Sequence, residues 1–255
     1  MPSRSIFATR TPTAFATESP GPVKRRLFLG GMGGVAMGQR IGDMRDPDVK
    51  YDEGWLNLFN GRDSGKWVAV LKTPEGKAKR YFEETFAEQG TFFIENGLLK
   101  TTGTPNGYIR TSDVHDNYVF HVEVRFPKRG NSGVLVHVQK DEVWPRGIEC
   151  QLYQSHMGRI FPIQGAYLEG GEMIHDNAKP EGEWNTYEVY SEEGRLATVL
   201  NGAIVGLAAE ANPRIGHVCL QSEGVPAEFR NIKIRRHAPS HHLWESSKGK
   251  PSRPR

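Results

Sequence analysis

The sequence predicts an all-β protein, one two-sheet antiparallel jelly-roll sandwich over residues 52–236. Short apolar runs of about strand length recur along this core and are rich in β-branched and aromatic residues. Turn pairs such as Asn96-Gly97, Glu193-Gly194 and Asn201-Gly202 separate them, in a chain with 29 Gly and 16 Pro. No amphipathic helical pattern is long enough to anchor a helical domain. At 255 residues the chain can bury a sizeable core as one large domain or two small ones.

Residues 1–24 are rich in Ser, Thr and Pro and read as disordered. Lys24-Arg25-Arg26-Leu27-Phe28-Leu29-Gly30 follows, ahead of a Gly-rich stretch that ends at Gly38. Paired arginines before a short apolar run resemble a twin-arginine export signal, which is an address read by a receptor and not an anchor. The run is too short and too rich in Gly to span a bilayer. Residues 1–40 are therefore expected to be an export leader for a periplasmic or extracellular protein, with a basic disordered leader as the alternative. Residues 237–255 combine Pro, Ser and basic side chains and read as a disordered basic tail.

Within the core, residues 55–59 alternate as a strand and end at Asn60-Gly61. The charged segment 71–89 is expected to hold a short helix or a loop. Strands are expected at 91–95, 98–101, 107–110, 118–126, 134–139 and 148–153, with a short one at 166–168. The second half adds 184–190, 196–200, 203–207, 215–221 and 227–234. About a dozen strands without helices must bury their apolar faces against one another, which requires two packed sheets. Trp55, Trp67 and Trp184 are expected in the core.

Charge excludes one class of function. Residues 1–40 carry six Lys or Arg against Glu18, and residues 237–255 carry four against Glu245. Taking these from the 33 basic and 30 acidic residues leaves 23 basic and 28 acidic in the core. A nucleic-acid reader needs a basic patch on its folded domain, so nucleic acid is not an expected partner. Cys150 and Cys219 lie in strand-like runs and read as two buried thiols, or as one disulfide if the chain is exported.

Function is expected in residues 130–154. Asn131-Ser132-Gly133 reads as a turn with unusual backbone angles and also as a ligand contact. Strand alternation puts Leu135 and His137 on one face and Glu149, Gln151 and Tyr153 on one face. If the two faces coincide, the sheet presents a polar floor of carboxylate, amide, imidazole and phenol. Glu149 is otherwise a surface carboxylate paired to Arg125 or Arg146. His175, Asp176 and His156 lack regular metal-ligand spacing.

Ordered motifs then identify a family. Trp55-Leu56-Asn57-Leu58-Phe59-Asn60-Gly61, Asn131-Ser132-Gly133-Val134, Gly147-Ile148-Glu149-Cys150-Gln151-Leu152 and Gly165-Ala166-Tyr167 come first. Gly182-Glu183-Trp184-Asn185, Leu200-Asn201-Gly202, Leu220-Gln221 and Phe229-Arg230-Asn231-Ile232 follow. The chain resembles the 3-keto-disaccharide hydrolase family, formerly domain of unknown function 1080. The resemblance implies a concanavalin A-like jelly roll, often exported, acting on glycosides already oxidised to a ketone at C3. His137 and Gln154 stand where the family pattern often has Arg and Asp.

The chemistry expected from these residues follows from the number of carboxylates. A retaining glycosidase needs two carboxyl groups about 5–5.5 Å apart. The Glu149, Gln151, Tyr153 strand offers one. One carboxylate suffices if C3 is a ketone, because a base can remove the acidified C2 proton and the enolate can expel the C1 substituent. Glu149 is the expected base, with His137 and Arg125 stabilising the enolate or shuttling the proton, and Gln151, Asn131 and Tyr167 positioning hydroxyls. Trp144 and Tyr167 are candidates to stack on a sugar face. A divalent metal ion could replace the donors, with Glu149 and His137 as ligands and another residue as base. The alternative function is a non-catalytic, lectin-like carbohydrate-binding module on the same fold.

Overall fold

Residues 54–63, 65, 67–81 and 90–236 are described by the computed structural model, and all lie in the compact unit Arg45–Arg255. The expected leader at 1–40 and tail at 237–255 fall outside the described residues. The described residues form sixteen strands and no helix. In order these are β1 (Leu56–Asn57), β2 (Trp67–Lys72), β3 (Ala78–Tyr81), β4 (Phe92–Glu95), β5 (Leu98–Thr101) and β6 (Gly107–Thr111). Then come β7 (Tyr118–Arg125), β8 (Gly133–Val138), β9 (Gly147–Gln151), β10 (Ile160–Ile163) and β11 (Tyr167–Met173). The last five are β12 (Asn185–Glu192), β13 (Arg195–Leu200), β14 (Ala203–Asn212), β15 (His217–Ser222) and β16 (Ala227–Arg236).

Two antiparallel sheets result, as the strand pattern predicts. One has the order β11-β14-β13-β12-β7-β16-β5-β4, with β1 also paired to β16, and the other runs β10-β9-β8-β15-β6-β2-β3. Three hairpins have two-residue turns in which both central residues have positive φ. They are Asn96-Gly97, Glu193-Gly194 and Asn201-Gly202. That is the twist-matched turn these residue pairs favour.

The main core lies between the sheets. Phe120, Val122 and Val124 of β7, Tyr187 of β12 and Phe229 of β16 meet Val134, Ile148, Cys150 and Leu220 of the other sheet. A smaller cluster of Val68, Val70, Tyr108, Leu135, Val138 and Cys219 lies on the outer face of the seven-stranded sheet. The Tyr108 hydroxyl donates to the Glu142 carbonyl at 3.0 Å and so ties the β8–β9 loop over that face. Cys150 and Cys219 therefore sit on opposite faces of one sheet as free, buried thiols.

Several expectations are corrected. The segment 71–89 holds neither helix nor plain loop where it is described. Leu71 and Lys72 end β2, and a tight turn at Thr73–Lys77 returns the chain as β3. The first strand is only Leu56–Asn57, because the Asn60 side chain accepts from the amides of Arg62 and Asp63 at 2.8 and 3.1 Å and folds the chain into a turn. Trp67 is core, with its indole donating to the Leu58 carbonyl at 2.7 Å. Trp55 and Trp184 are instead half-buried on the outer face of the nine-stranded sheet. Trp184 stacks under Arg125 and Arg230 at 4.7 and 4.1 Å, and Trp55 under Lys233 and Arg235 at 4.9 and 4.8 Å.

Candidate active site

Ile148 and Cys150 of β9 point into the core, so Gly147, Glu149 and Gln151 point outward. Glu149 stands opposite Leu135 of β8 and Phe161 of β10, and Gln151 stands opposite Gly133. On the other side of β8, Val134 pairs with Leu220, which brings Gln221 of β15 beside Gly133. Tyr108 of β6 continues that row. Gly133 is the gap on which polar groups converge. A Cβ there would lie 2.7 Å from Gln221 Oε1 and 2.9 Å from Glu149 Oε1. Its φ is not positive, which corrects the reading of Asn131-Ser132-Gly133 as a turn with unusual angles. The glycine is needed for close approach.

Glu149 is only 6% exposed, and its carboxyl has no hydrogen-bond or ion-pair partner among the described residues. Burial, and then repulsion from Glu223, push it up to about 8. Glu223 follows β15, is half-buried, and is itself raised by burial. Asn131 Nδ2 donates to Glu223 Oε2 at 2.8 Å, which leaves the buried Asn131 Oδ1 without a partner. Gln221 is 1% exposed, and both its amide nitrogen and oxygen are unpartnered. Ser132 fixes this end of β8 by donating to the Gln221 carbonyl at 2.9 Å, while its own carbonyl accepts from the Leu152 amide at 3.0 Å. Gln151 Oε1 accepts from the Tyr153 amide at 2.7 Å.

Buried polar atoms are nearly always satisfied within a protein, so three side chains with unpartnered groups on one patch, Glu149, Asn131 and Gln221, mark a place for a ligand. The patch can hold a proton at neutral pH, surrender it above about pH 8, and bind hydroxyl or carbonyl groups through its amides. Among the described residues no three or more His, Cys, Asp or Glu side chains gather as a metal cage. The oxygen donors present are the two carboxyls and the free amide oxygens of Asn131 and Gln221. That set suits a hard cation such as Ca²⁺, Mg²⁺ or Mn²⁺, and it does not include His137.

Of the residues singled out by sequence, the structure brings Glu149, Asn131 and Gln151 together. His137 is elsewhere. Between Leu135 and Val138, β8 carries one residue more than β15 does between His217 and Cys219, a bulge in which His137 has φ of 60°. The bulge turns the ring inward, where Nδ1 meets the Pro213 carbonyl at 2.8 Å, Nε2 meets Ser191 Oγ at 2.9 Å, and Tyr118 packs edge-on. The ring is fully buried, and burial lowers it to about 4. The expected floor therefore lacks its imidazole. Arg125 points outward from the other sheet, pairs with Glu228 at 2.7 Å and stacks on Trp184. Both sheets separate it from Glu149. Trp144, 40% exposed, is in the β8–β9 loop. Tyr167, 53% exposed, bonds Glu169 of its own strand at 3.1 Å in the nine-stranded sheet.

Two functional candidates escaped the sequence reading. Gln221 appeared only as part of a motif, and Glu223 not at all. The signal was present in the alternation Cys219, Gln221, Glu223, which puts all three on the outer face once Leu220 is assigned to the core. The expectation of one carboxylate is thereby corrected, because Glu223, just past the end of β15, supplies a second that acts on Glu149.

Residues 54–235 match the 3-keto-alpha-glucoside-1,2-lyase-like domain. No curated protein matches the chain. Among solved structures, a candidate glycosyl hydrolase from Parabacteroides distasonis is 22% identical, with 73% of this chain and 95% of that one covered at a TM-score of 0.55. A second candidate glycosyl hydrolase from the same organism is 20% identical, with 72% and 99% covered at a TM-score of 0.51. These likenesses show a shared fold, the jelly roll built above. The chain is a carbohydrate-active protein and belongs to the 3-keto-alpha-glucoside-1,2-lyase-like domain family.

Proposed function

We propose that this protein cleaves 3-keto-glycosides by removing the C2 proton and expelling the C1 substituent, with Glu149 as the base. The observation that carries this reading is Glu149 itself, a buried carboxyl without a partner on a face of free amides. A structural carboxylate at that depth needs pairing to offset its desolvation. One left unpaired and raised to about 8 is suited to take a proton from carbon near neutral pH.

A C3 ketone acidifies the C2–H bond. Glu149 takes that proton, and the electron pair forms the enolate across C2 and C3. The C3 carbonyl then re-forms, the pair becomes a C1–C2 double bond, and the C1–O bond breaks. The products are a 2-hydroxy-3-keto-glycal and the released alcohol, and later addition of water gives net hydrolysis. The free donors and acceptors of Gln221, Gln151 and Asn131 orient the sugar hydroxyls and support the charge on the C3 oxygen. A divalent cation bound here would be held by Glu149, Glu223 and the amide oxygens of Asn131 and Gln221, and would supply Lewis-acid stabilisation of the same charge. The paired arginines at Arg25-Arg26 support an exported place of action.

The test is release of 4-nitrophenol from the 3-keto-glucoside and from the unoxidised glucoside, with divalent metal or with chelator. Release from the keto substrate alone, lost in Glu149→Gln, is the expected result. Release from the unoxidised glucoside would instead point to conventional two-carboxylate hydrolysis through Glu149 and Glu223. Sugar binding without release from either substrate would leave a carbohydrate-binding module.

A further inference from the structure

The Glu149 patch binds through polar groups, yet a pyranose ring has an apolar face as well as hydroxyls. The C–H bonds on that face carry slight positive charge and pack well on the negative face of an aromatic ring. We infer that Trp144 is the aromatic platform of this site, on which a pyranose ring of the substrate stacks while Glu149 takes the C2 proton. This inference rests on the reading of Glu149 as base.

The register of the outer face brings the β8–β9 loop to the site. Glu149 stands opposite Leu135, Leu135 opposite Cys219, and Cys219 opposite Arg110, in one row across β9, β8, β15 and β6. At the β6 end of that row the loop is held down. Arg110 Nε and Nη2 donate to the two Asp141 oxygens at 2.6 and 3.1 Å, Arg80 of β3 pairs with the same carboxylate, and Tyr108 holds the Glu142 carbonyl. From Glu142 the chain must return to Gly147, where β9 begins. β6 and β9 are three strand spacings apart in the sheet, about 14 Å at the usual separation. The five residue steps from Glu142 to Gly147 reach at most about 17 Å. The leg 143–146 is therefore close to extended and runs straight over β15 and β8. Leu135 and Cys219 are fully buried on that outer face, as a covering leg requires.

Trp144 lies in this leg, beside the row that ends at Glu149. Just beyond it Pro145 is buried, and Arg146 donates from Nε to the Gly165 carbonyl at 3.2 Å and from Nη2 to Asn212 Oδ1 at 3.3 Å. The backbone that carries the indole is thus pinned on both sides. Yet Trp144 is 40% exposed and has no hydrogen bond or ring contact among the described residues. A fixed backbone and a free ring suit stacking, because little conformational freedom is lost when the sugar arrives. Tyr167, the other large exposed aromatic among the described residues, belongs to the nine-stranded sheet and bonds Glu169.

The experiment measures KM and kcat of the full chain on methyl 3-keto-glucoside, whose only ring is the sugar, with methanol release followed by NMR. For Trp144→Ala, KM is expected to rise about 5- to 30-fold with kcat within about 3-fold, because stacking acts alike on bound substrate and transition state. KM does not depend on how much of a variant is folded. Trp144→Phe keeps a ring and is expected to recover most of the affinity, whereas Trp144→Leu, an apolar side chain without a ring, is not. In Glu149→Gln, which should bind without turnover, the same sugar is expected to change the tryptophan emission, and the change should vanish once Trp144→Phe is combined with it. An unchanged KM in Trp144→Ala, equal losses in Trp144→Phe and Trp144→Leu, or an emission change that survives Trp144→Phe overturns the platform. Full activity in Glu149→Gln together with a raised KM in Trp144→Ala would overturn the base reading alone, so the two failures are distinguishable.

Discussion

Replacing Gly133 by Ala puts a methyl group where two polar heads meet, 2.7 Å from Gln221 Oε1 and 2.9 Å from Glu149 Oε1. A comfortable C–H···O contact needs about 3.3–3.6 Å, so each oxygen must retreat by roughly 0.5 Å. Both obstructing atoms are the ends of side chains, and the fold can absorb the change. Overpacking typically costs about 1–3 kcal/mol. The more restricted unfolded chain returns about 0.5–1 kcal/mol, since φ at this position suits alanine. The net loss of stability should therefore be no more than about 2 kcal/mol, and the domain should remain folded. Catalysis should suffer more, because misplacing a catalytic group by about 1 Å can cost about 10²-fold. We expect kcat/KM on the 3-keto-glucoside to fall about 10- to 100-fold while chemical denaturation still shows a cooperative fold. A Gly133→Ala protein with undiminished kcat/KM would refute the placement of Glu149 and Gln221 at the reacting centre. So would a loss no larger than the unfolded fraction explains.

Other outcomes follow from the same geometry. Glu149 has a folded pKa raised from 4.5 to about 8, so the native state binds the extra proton. Stability should then decline as pH rises from about 4.5 through about 8, by on the order of 3–5 kcal/mol, and Glu149→Gln should flatten that decline in urea titrations at a series of pH values. In kinetics the same group should give kcat/KM an ascending limb with a midpoint near pH 8. His137→Ala should cost roughly 2–4 kcal/mol through the Pro213 carbonyl left without its ring partner, the lost contact to Ser191 and the void, with turnover per folded molecule unchanged. Phe229→Ala, at the centre of the main core, should cost about 3–5 kcal/mol by calorimetry.

How much of this was legible beforehand depended on whether a feature is local in sequence. Hairpins at Asn96-Gly97 and Asn201-Gly202 were legible because the turn chemistry is contained in two residues. Glu149 and Gln151 were placed on one shared face because β9 keeps strict alternation between Ile148 and Cys150. His137 was misplaced because Val-His-Val also alternates in sequence, and only the mismatch with β15 shows the bulge that rotates the ring into the core. Arg125 was expected at the site because sequence does not say to which sheet β7 belongs, and that decides the side of the sandwich. Glu223 stayed hidden for a related reason. Its partner Asn131 is 92 residues away in the chain and meets it only because β8 and β15 are neighbours.

The central claim is that Glu149 removes the C2 proton of a 3-keto sugar, and exchange of that proton with solvent reads this step without requiring the C1 bond to break. In D₂O, NMR should show loss of the C2–H signal of a 3-keto-glucoside in the presence of the wild-type protein, no loss with Glu149→Gln, and none for the unoxidised glucoside with either. Exchange that continues at the wild-type rate in Glu149→Gln, or aglycone release from the keto substrate with the C2 proton retained in the product, would contradict the account.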